Sequence, residues 1–518
     1  MLRASTLSVL CVLAALTFAA CGQSGSGGGG ADPASLVPAG APVYVQAAVR
    51  PQGERRDDAL AAAGKIMRTG DPAARLRELV DKELADDGLT WERDFAPWLG
   101  DDAGIWATNL EAAEPSYAAI VATKDADAAR AALAKLEKTS DSGPYTRRSY
   151  KGLDYRVDGE GVANGLVDDF VVIGTESAFK RTADTRDADN LAGSDRYEDA
   201  IGDLEETRLG HFYVDVEPLL DAAIRNDPRA AQDLEQLKSL FPLDRLGPVT
   251  GSFEADADGM ALDALVSGVP DGPFRKLAEL SSGGTDLLGD LPGDAWGAFA
   301  IPKLGESARS LFSAFAGAIG GAAIAGQVEQ ATGLDLQQDV FSWVGDTGVF
   351  VRGADMTSLD GALVIDATDD ARAASAFGKL VAVIAKRGGL RPEPVRIEGA
   401  ESALALSPPG AEKRVVLARG EGRVVAAYGE RAASAALSAD AKIGDGEGFR
   451  AAEAILGGEL EPSFVLAVAD AIKLADGVGA TDAEFDKARP YLDALGVVTS
   501  GGEADGDRLR SRLAVTLK

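Results

Sequence analysis

Asp94-Phe95-Ala96-Pro97-Trp98-Leu99-Gly100-Asp101 recurs as Asp339-Val340-Phe341-Ser342-Trp343-Val344-Gly345-Asp346, and this repetition constrains the fold more than any other feature of the chain. Four more blocks recur in the same order. Leu36-Val37-Pro38-Ala39-Gly40-Ala41 matches Asp290-Leu291-Pro292-Gly293-Asp294-Ala295, and Tyr117 to Thr123 matches Gly361 to Asp366. Phe170-Val171-Val172-Ile173-Gly174 matches Arg423-Val424-Val425-Ala426-Ala427, and Leu246 to Thr250 matches Leu495 to Thr499. Self-similarity in register marks a repeated architecture. The expectation is a tandem duplication of two similar lobes, 33–268 and 284–518. They are joined by a linker at 269–283, where Pro270-Asp271-Gly272-Pro273 and Ser281-Ser282-Gly283-Gly284 punctuate the chain.

Within each lobe short apolar runs alternate with helical patterns. Ala126, Ala129, Leu133 and Leu136 recur on one helical face. Asp158-Gly159 separates Tyr155-Arg156-Val157 from Val162-Ala163, and Asp258-Gly259 separates Ser252-Phe253 from Met260-Ala261-Leu262. Asp-Gly between apolar runs is a hairpin signal. Successive hairpins require antiparallel pairing, so the expected class is α+β, with helices covering a largely antiparallel sheet in each lobe.

The N-terminus carries an address. Arg3 precedes an apolar run from Leu7 to Ala20, and the small residues Ala19-Ala20 stand directly before Cys21. A charged start, an apolar stretch and a small-residue cleavage site form a secretory signal. Cysteine just after the cut makes it a bacterial lipoprotein signal, with 1–20 removed and Cys21 lipidated. The apolar run is shorter than the ~20 residues of a membrane-spanning helix. Residues 21–32 then hold the anchor and a tether, Gly22-Gln23-Ser24-Gly25-Ser26-Gly27-Gly28-Gly29-Gly30, which behaves as a flexible coil reaching roughly 17 Å. The expected location is extracytoplasmic, on the outer face of the bacterial cell membrane, with the membrane itself as a partner through the N-terminal lipid. Cys11 falls in the leader and Cys21 carries lipid, so no disulfide is expected in the mature chain.

A net charge of −30 repels nucleic acid and anionic lipid headgroups, and no nucleic-acid partner is expected. Its 46% hydrophobic and 26% charged residues are those of a globular protein rather than a disordered one.

The Trp-(Leu/Val)-Gly-Asp blocks, with the Leu-Pro-x-x-Ala start at Leu291, resemble a bacterial family known only as a domain of unknown function, number 3352 in its series. The resemblance covers most of the chain after Cys21. It implies an exported or membrane-attached protein and carries no catalytic residues onto positions here.

Reactive chemistry is scarce. His211 is the only histidine, and the second copy has Ser463 in its place. Any Ser-His-Asp or Cys-His device would need it, and no Gly-x-Ser-x-Gly elbow occurs. One histidine and no free cysteine argue against zinc. Glu254-Ala255-Asp256-Ala257-Asp258-Gly259 has the opening of a calcium loop, but Leu265 stands where the closing glutamate belongs. A hairpin turn explains it better. Gly420-Glu421-Gly422 lacks the rest of a dinucleotide fingerprint. The carboxylate pairs Asp101-Asp102, Asp168-Asp169 and Asp369-Asp370 are too common to single out a site, and Asp369-Asp370 reads as a helix cap. The expectation is therefore no cofactor, no metal and no enzyme activity.

Two features remain as candidate ligand-lining elements. Trp98 and Trp343 could stack on a ligand, or pack over a short helix ended by a left-handed Gly100 or Gly345. The apolar segment 311–325, with Phe312, Phe315 and Ile319, could be a buried helix, line an apolar cavity or touch the bilayer. The leading expectation is a membrane-anchored scaffold or binding module of the cell envelope with an unknown protein or apolar small-molecule partner. The alternatives are an apolar-ligand or lipid carrier, and a carboxylate-based hydrolase of envelope polymers. Oligomeric state is not legible.

Overall fold

The computed structural model describes residues 31–85, 87–109, 116–139, 143–204, 208–226, 245–281, 283–315, 325–327, 329–330, 333–387 and 391–518. Described residues up to Ser267 form one compact unit, and Gly268 to Lys518 form another.

The first unit contains strands β1 (Val43–Ala48), β2 (Leu99–Asn109), β3 (Ser116–Thr123), β4 (Thr146–Tyr150), β5 (Leu153–Val157), β6 (Val162–Val167), β7 (Phe170–Thr175), β8 (Gly210–Val214), β9 (Val249–Ala255) and β10 (Gly259–Val266). They pair in the order β10-β9-β8-β1-β2-β3-β7-β6-β5-β4, antiparallel at every step. Local chemistry makes the hairpins. Lys151 (φ 48°) and Gly152 (φ 79°) take the left-handed pair that a tight β4–β5 turn requires. In the β9–β10 turn, Asp256 Oδ1 accepts from the N–H groups of Asp258 and Gly259 at 2.7 and 2.8 Å. That carboxylate is thus committed to the turn. The β5–β6 connection differs from the expected Asp158-Gly159 turn: it is longer, and Gly161 (φ 87°) takes the left-handed position.

Helices cover both faces. α1 (Gly53–Met67), α2 (Pro72–Leu84) and α3 (Ala126–Thr139) lie on one side. α2 starts where Asp71 accepts the Ala74 N–H at 2.9 Å, with proline at its first position. Its Leu76, Val80 and Leu84 form a stripe at four-residue spacing. That stripe, with Ala129 and Leu133 of α3, packs on Leu99, Val121 and Val171 of the sheet. On the other side α4 (Glu176–Asp184) and α5 (Asp195–Ile201) bring Phe179 and Tyr197 against Tyr44, Trp106, Ile120, Val172 and Tyr213. α6 (Val216–Asn226) follows β8.

The second unit contains β11 (Gly297–Ile301), β12 (Val344–Arg352), β13 (Asp360–Ala367), β14 (Glu393–Pro394), β15 (Ser402–Leu406), β16 (Val415–Gly420), β17 (Arg423–Tyr428), β18 (Pro462–Ala467), β19 (Leu495–Asp505) and β20 (Arg508–Leu517). They pair as β20-β19-β18-β11-β12-β13-β17-β16-β15-β14, again antiparallel. This is the order of the first unit, strand for strand. Details agree too: Leu191 N–H donates to Val37 carbonyl at 2.8 Å in one unit, and Ile443 N–H to Leu291 carbonyl at 2.8 Å in the other. The helices are α7 (Pro273–Ser281), α8 (Asp286–Asp290), α9 (Leu304–Phe315), α10 (Asp370–Arg387), α11 (Glu430–Leu437), α12 (Glu447–Ile455), α13 (Val468–Gly477) and α14 (Ala483–Leu492). α10 opens as Asp369 Oδ1 accepts the Arg372 N–H at 3.0 Å. Gly420-Glu421-Gly422 forms the β16–β17 turn, with Glu421 (φ 51°) and Gly422 (φ 72°) left-handed.

The class is α+β. Among the described residues no helix is long and apolar enough to cross a membrane.

Candidate functional site

The repeated tryptophans sit in one arrangement made twice. Trp98 follows a single π-helical turn, Trp91–Phe95, and Trp343 follows Leu336–Val340. Their indole N–H groups donate to the carbonyls of Asp94 at 2.7 Å and Asp339 at 2.8 Å. Their own carbonyls accept from Thr123 and Lys124, and from Thr368, where the next strand ends. The Asp94 carboxylate takes Lys135 Nζ at 2.9 Å, Arg93 at 2.9 Å and the Thr90 N–H at 2.8 Å. Asp339 takes Lys379 Nζ at 2.6 Å and the Asp335 N–H at 3.0 Å. Burial opposes charge on Asp94, but these bonds outweigh it and hold the carboxyl at about 2. At Asp339 the Lys379 bond lowers the carboxyl. Each indole is 6% exposed. Each tryptophan is a plug that ties a π turn to the sheet, and the two lie in different units.

The glycine beside it has another role than the left-handed cap expected. Gly100 and Gly345 are not left-handed; they lie where β2 and β12 slip register against β3 and β13. A Cβ on Gly100 would come within 2.8 Å of the Ala122 backbone, and one on Gly345 within 2.8 Å of the Asp366 carbonyl oxygen. Close strand approach, not turn conformation, demands glycine here.

His211 on β8 is 7% exposed, and its Nε2 lies 2.7 Å from the Tyr197 hydroxyl. Tyr44 stands edge-on to both rings. Burial, helped by Arg208, pulls the imidazole down to about 4, so it is neutral at pH 7. Burial likewise pushes Tyr213 up to about 12. On the same side Asp102 is pushed up to about 6 by burial and by Asp101 and Asp32. By register the second unit has Ala298, Ser463 and Val465 in place of Tyr44, His211 and Tyr213. The enclosed network explains how a buried polar group is satisfied.

The partly exposed apolar chemistry lies on the other face of the same strands, the one on which α1–α3 pack. Register carries one row across the first sheet: Ala264, Gly251, Phe212, Val45, Ile105, Ala119 and Ile173. The equivalent row of the second is Leu513, Ser500, Phe464, Phe299, Val349, Leu363 and Ala426. Val45 is 45% exposed; Leu513, Phe299, Val349 and Leu363 are 50%, 39%, 39% and 38% exposed. In the first unit this face, with Ala59 and Pro51, lines a cavity of about 350 Å³ whose walls include Val45, Ala47, Phe212, Phe253 and Leu262. Glycine makes room for the Phe212 ring in this wall: a Cβ on Gly251 would overlap that ring and the Asp263 carbonyl oxygen. Such a site can hold a hydrocarbon chain. Among the described residues no three His, Cys, Asp or Glu side chains group as metal ligands.

The sequence did not single out this row. Strands such as Val43-Tyr44-Val45 and Phe212-Tyr213-Val214 are apolar on both faces, so alternation does not say which face is covered. The available signal was Gly210 and Gly251 beside Phe212 and Phe253. Of the other expected lining residues, Phe312 in α9 contacts Phe341, ring centres 6.1 Å apart. Phe315 ends that helix; its side chain, Ile319 and the rest of 316–324 lie outside the described residues, as does Cys21.

A family profile described as "Protein of unknown function (DUF3352)" matches residues 3–403. No curated protein matches the chain. Among solved structures, crystal form IV of TP0453 is 12% identical with a TM-score of 0.24, covering 46% of this chain and 80% of that one. Crystal form III gives 13%, 0.26, 48% and 85%. Crystal form I gives 13%, 0.25, 46% and 79%. Likeness at this level carries no functional argument.

Proposed function

Because the chain belongs to the DUF3352 family, whose description assigns no role, we propose one from its own side chains: a non-enzymatic, extracytoplasmic binding module. It is held at the outer face of the cell membrane by an acylated Cys21, and it takes up an apolar chain such as a fatty acyl group on one sheet face of each unit. The observation that carries this is the shared row. Both units leave large apolar side chains of the same register row partly in water. Fully burying a Val, Leu or Phe side chain is worth about 1.5–3 kcal/mol. Leaving two fifths of it exposed forgoes about 1 kcal/mol per residue, and an occupying hydrocarbon recovers this along with about 0.8 kcal/mol per buried methylene.

The leader, the cysteine and the glycine-serine tether support the anchor. The shared strand order and the paired Trp–Asp–Lys arrangement support descent from a tandem duplication. The absence of catalysis is supported by the roles found for the reactive side chains: His211 satisfies a tyrosine, and Asp94 and Asp339 hold lysines.

A fluorescent palmitate analogue titrated into delipidated protein tests the binding. Wild type should bind it, Val45→Glu and Phe299→Glu should each weaken one phase at least about tenfold, and the double variant should lose both. Undiminished binding by the double variant would refute the site. Metabolic palmitate labelling that persists in Cys21→Ser would refute the anchor.

A further inference from the structure

The apolar cavity of the first unit lies at one end of β1. Its walls include Ala47 and Ala48 at the close of that strand, Leu209 just before β8, and Pro51 and Ala59 from the chain that enters and forms α1. Gln46 and His211 also border it, but their side chains are bonded to Tyr44 and Tyr197. Among the described residues these walls carry no charged side chain. A charged group would go unpaired inside, so an occupant must leave its polar end in water.

The tether joins the folded body beside the same strand end. Asp32 caps the turn Pro33–Leu36, accepting the Ala34 N–H at 3.0 Å, and Ala34 and Leu36 are buried with Tyr44. Burial first, then Asp101 and the Asp32 carboxylate, raise the Asp102 carboxyl, so Asp32 stands close to Asp102. Asp102 lies opposite Ala48, which borders the cavity. Ten residues, Cys21 to Gly30, lead up to Ala31. As a coil they reach roughly 17 Å, and fully extended at most about 36 Å. β1, with its six residues, is about 20 Å long. Cys21 can therefore come to the cavity without any movement of the body.

We propose that this cavity houses an acyl chain carried by the protein's own Cys21, so that part of the anchor can be drawn out of the bilayer into the first unit. The proposal rests on the anchor and the apolar site proposed above, and it names the occupant. A chain fixed to a tether keeps its linking end outside, as these walls require. A short flexible linker presents its ligand at an effective concentration on the order of millimolar, which a free competitor at micromolar level does not match. While a chain is housed, the hold on the membrane falls towards the marginal, reversible binding of a single acyl group.

The test uses the full chain, labelled in the cell with a photoactivatable palmitate, reconstituted in phosphatidylcholine vesicles and irradiated. Crosslinks from the Cys21 acyl group are expected on the peptides that carry Val45 to Ala59 and Leu209 to Phe212. In a mixture of isotopically light and heavy chains they should stay within one chain. Val45→Glu and, separately, Leu262→Glu should each reduce them at least about fivefold. Deleting residues 22–30 should abolish them while leaving Cys21 labelled, because the remaining link is too short to reach. In the same vesicles Cys21→Ser should bind the fluorescent palmitate analogue at the first-unit site at least about tenfold more tightly than the acylated chain, whose own group competes. Crosslinks confined to vesicle lipid, or equal affinity in the two chains, overturn the proposal and leave the apolar site standing. Light–heavy crosslinks assign the cavity to a second copy's acyl group and also overturn it. No analogue binding by Cys21→Ser, or no label at Cys21, removes the proposal together with the reading beneath it.

Discussion

Replacing Asp94 by asparagine should destabilise the first unit through one identifiable set of bonds. The carboxylate is 7% exposed and joins the π turn to α3 through Lys135. Burial raises the cost of its charge, yet Arg93, Lys135 and the Thr90 N–H bring the carboxyl from 3.8 to about 2. At 1.36 kcal/mol per tenfold, that interval is worth about 2 kcal/mol. The folded value lies below the unfolded one, so this stability is present above pH 3.8 and lost as pH falls towards 2. Asp94→Asn should therefore cost about 2 kcal/mol at pH 7, leaving Lys135 without its anion, and the gap to wild type should close near pH 2. Urea unfolding followed by tryptophan fluorescence is the assay. Trp91, Trp98 and Trp106 report the first unit, and Trp296 and Trp343 the second. Asp339→Asn run beside it assigns the two transitions, since it should move the other one. A difference below about 0.5 kcal/mol at pH 7, typical of a bland surface change, would refute the reasoning. So would a difference that persists unchanged at low pH.

Three other outcomes are expected. His211 has its imidazole at about 4 against 6.5, so it contributes stability above 6.5 that is lost on acidification towards 4; calorimetry of His211→Gln from pH 7 to 4 should show a shallower decline. Asp102 has the reverse sign: its carboxyl at about 6 contributes below 3.8 and loses that contribution as pH rises through 6. Asp102→Asn should thus stabilise by about 3 kcal/mol at pH 7 and by well under about 1 kcal/mol at pH 4, and a destabilised variant at pH 7 would contradict this. Gly345→Ala drives a methyl to within 2.8 Å of the Asp366 carbonyl oxygen and should cost about 1–3 kcal/mol by thermal unfolding, whereas Gly378→Ala, in an open helical position, should not.

Much of this architecture was legible because it is written in short-range chemistry. The Asp258-Gly259 turn is made by local bonds to Asp256, and the matched blocks around Trp98 and Trp343 place both copies in register. What escaped was anything decided by long-range cover. Val45 and Tyr44 are neighbours on one strand and both apolar in bulk, yet one is 45% exposed and the other fully buried. Their fates depend on which helix lies over which face, and alternation in a strand apolar on both sides does not encode that. The role of Gly100 was misjudged for a related reason: glycine after a tryptophan fits a helix cap and a close strand crossing equally well until the partner strand is known.

The two units keep one frame but fill it differently, and the pattern of difference bears on function. On the closed face the first unit invests in Tyr44, His211 and Tyr213 where the second has Ala298, Ser463 and Val465, so interior chemistry is free to change as long as volume is filled. On the other face Val45 and Ile105 have the apolar counterparts Phe299 and Val349, and Val45, Phe299 and Val349 all remain partly exposed. A surface under no constraint other than solubility would drift towards polar residues in a chain this acidic. Apolar residues at matched, partly exposed positions, beside interiors that have diverged, are what the apolar ligand proposed above would require of two sheets.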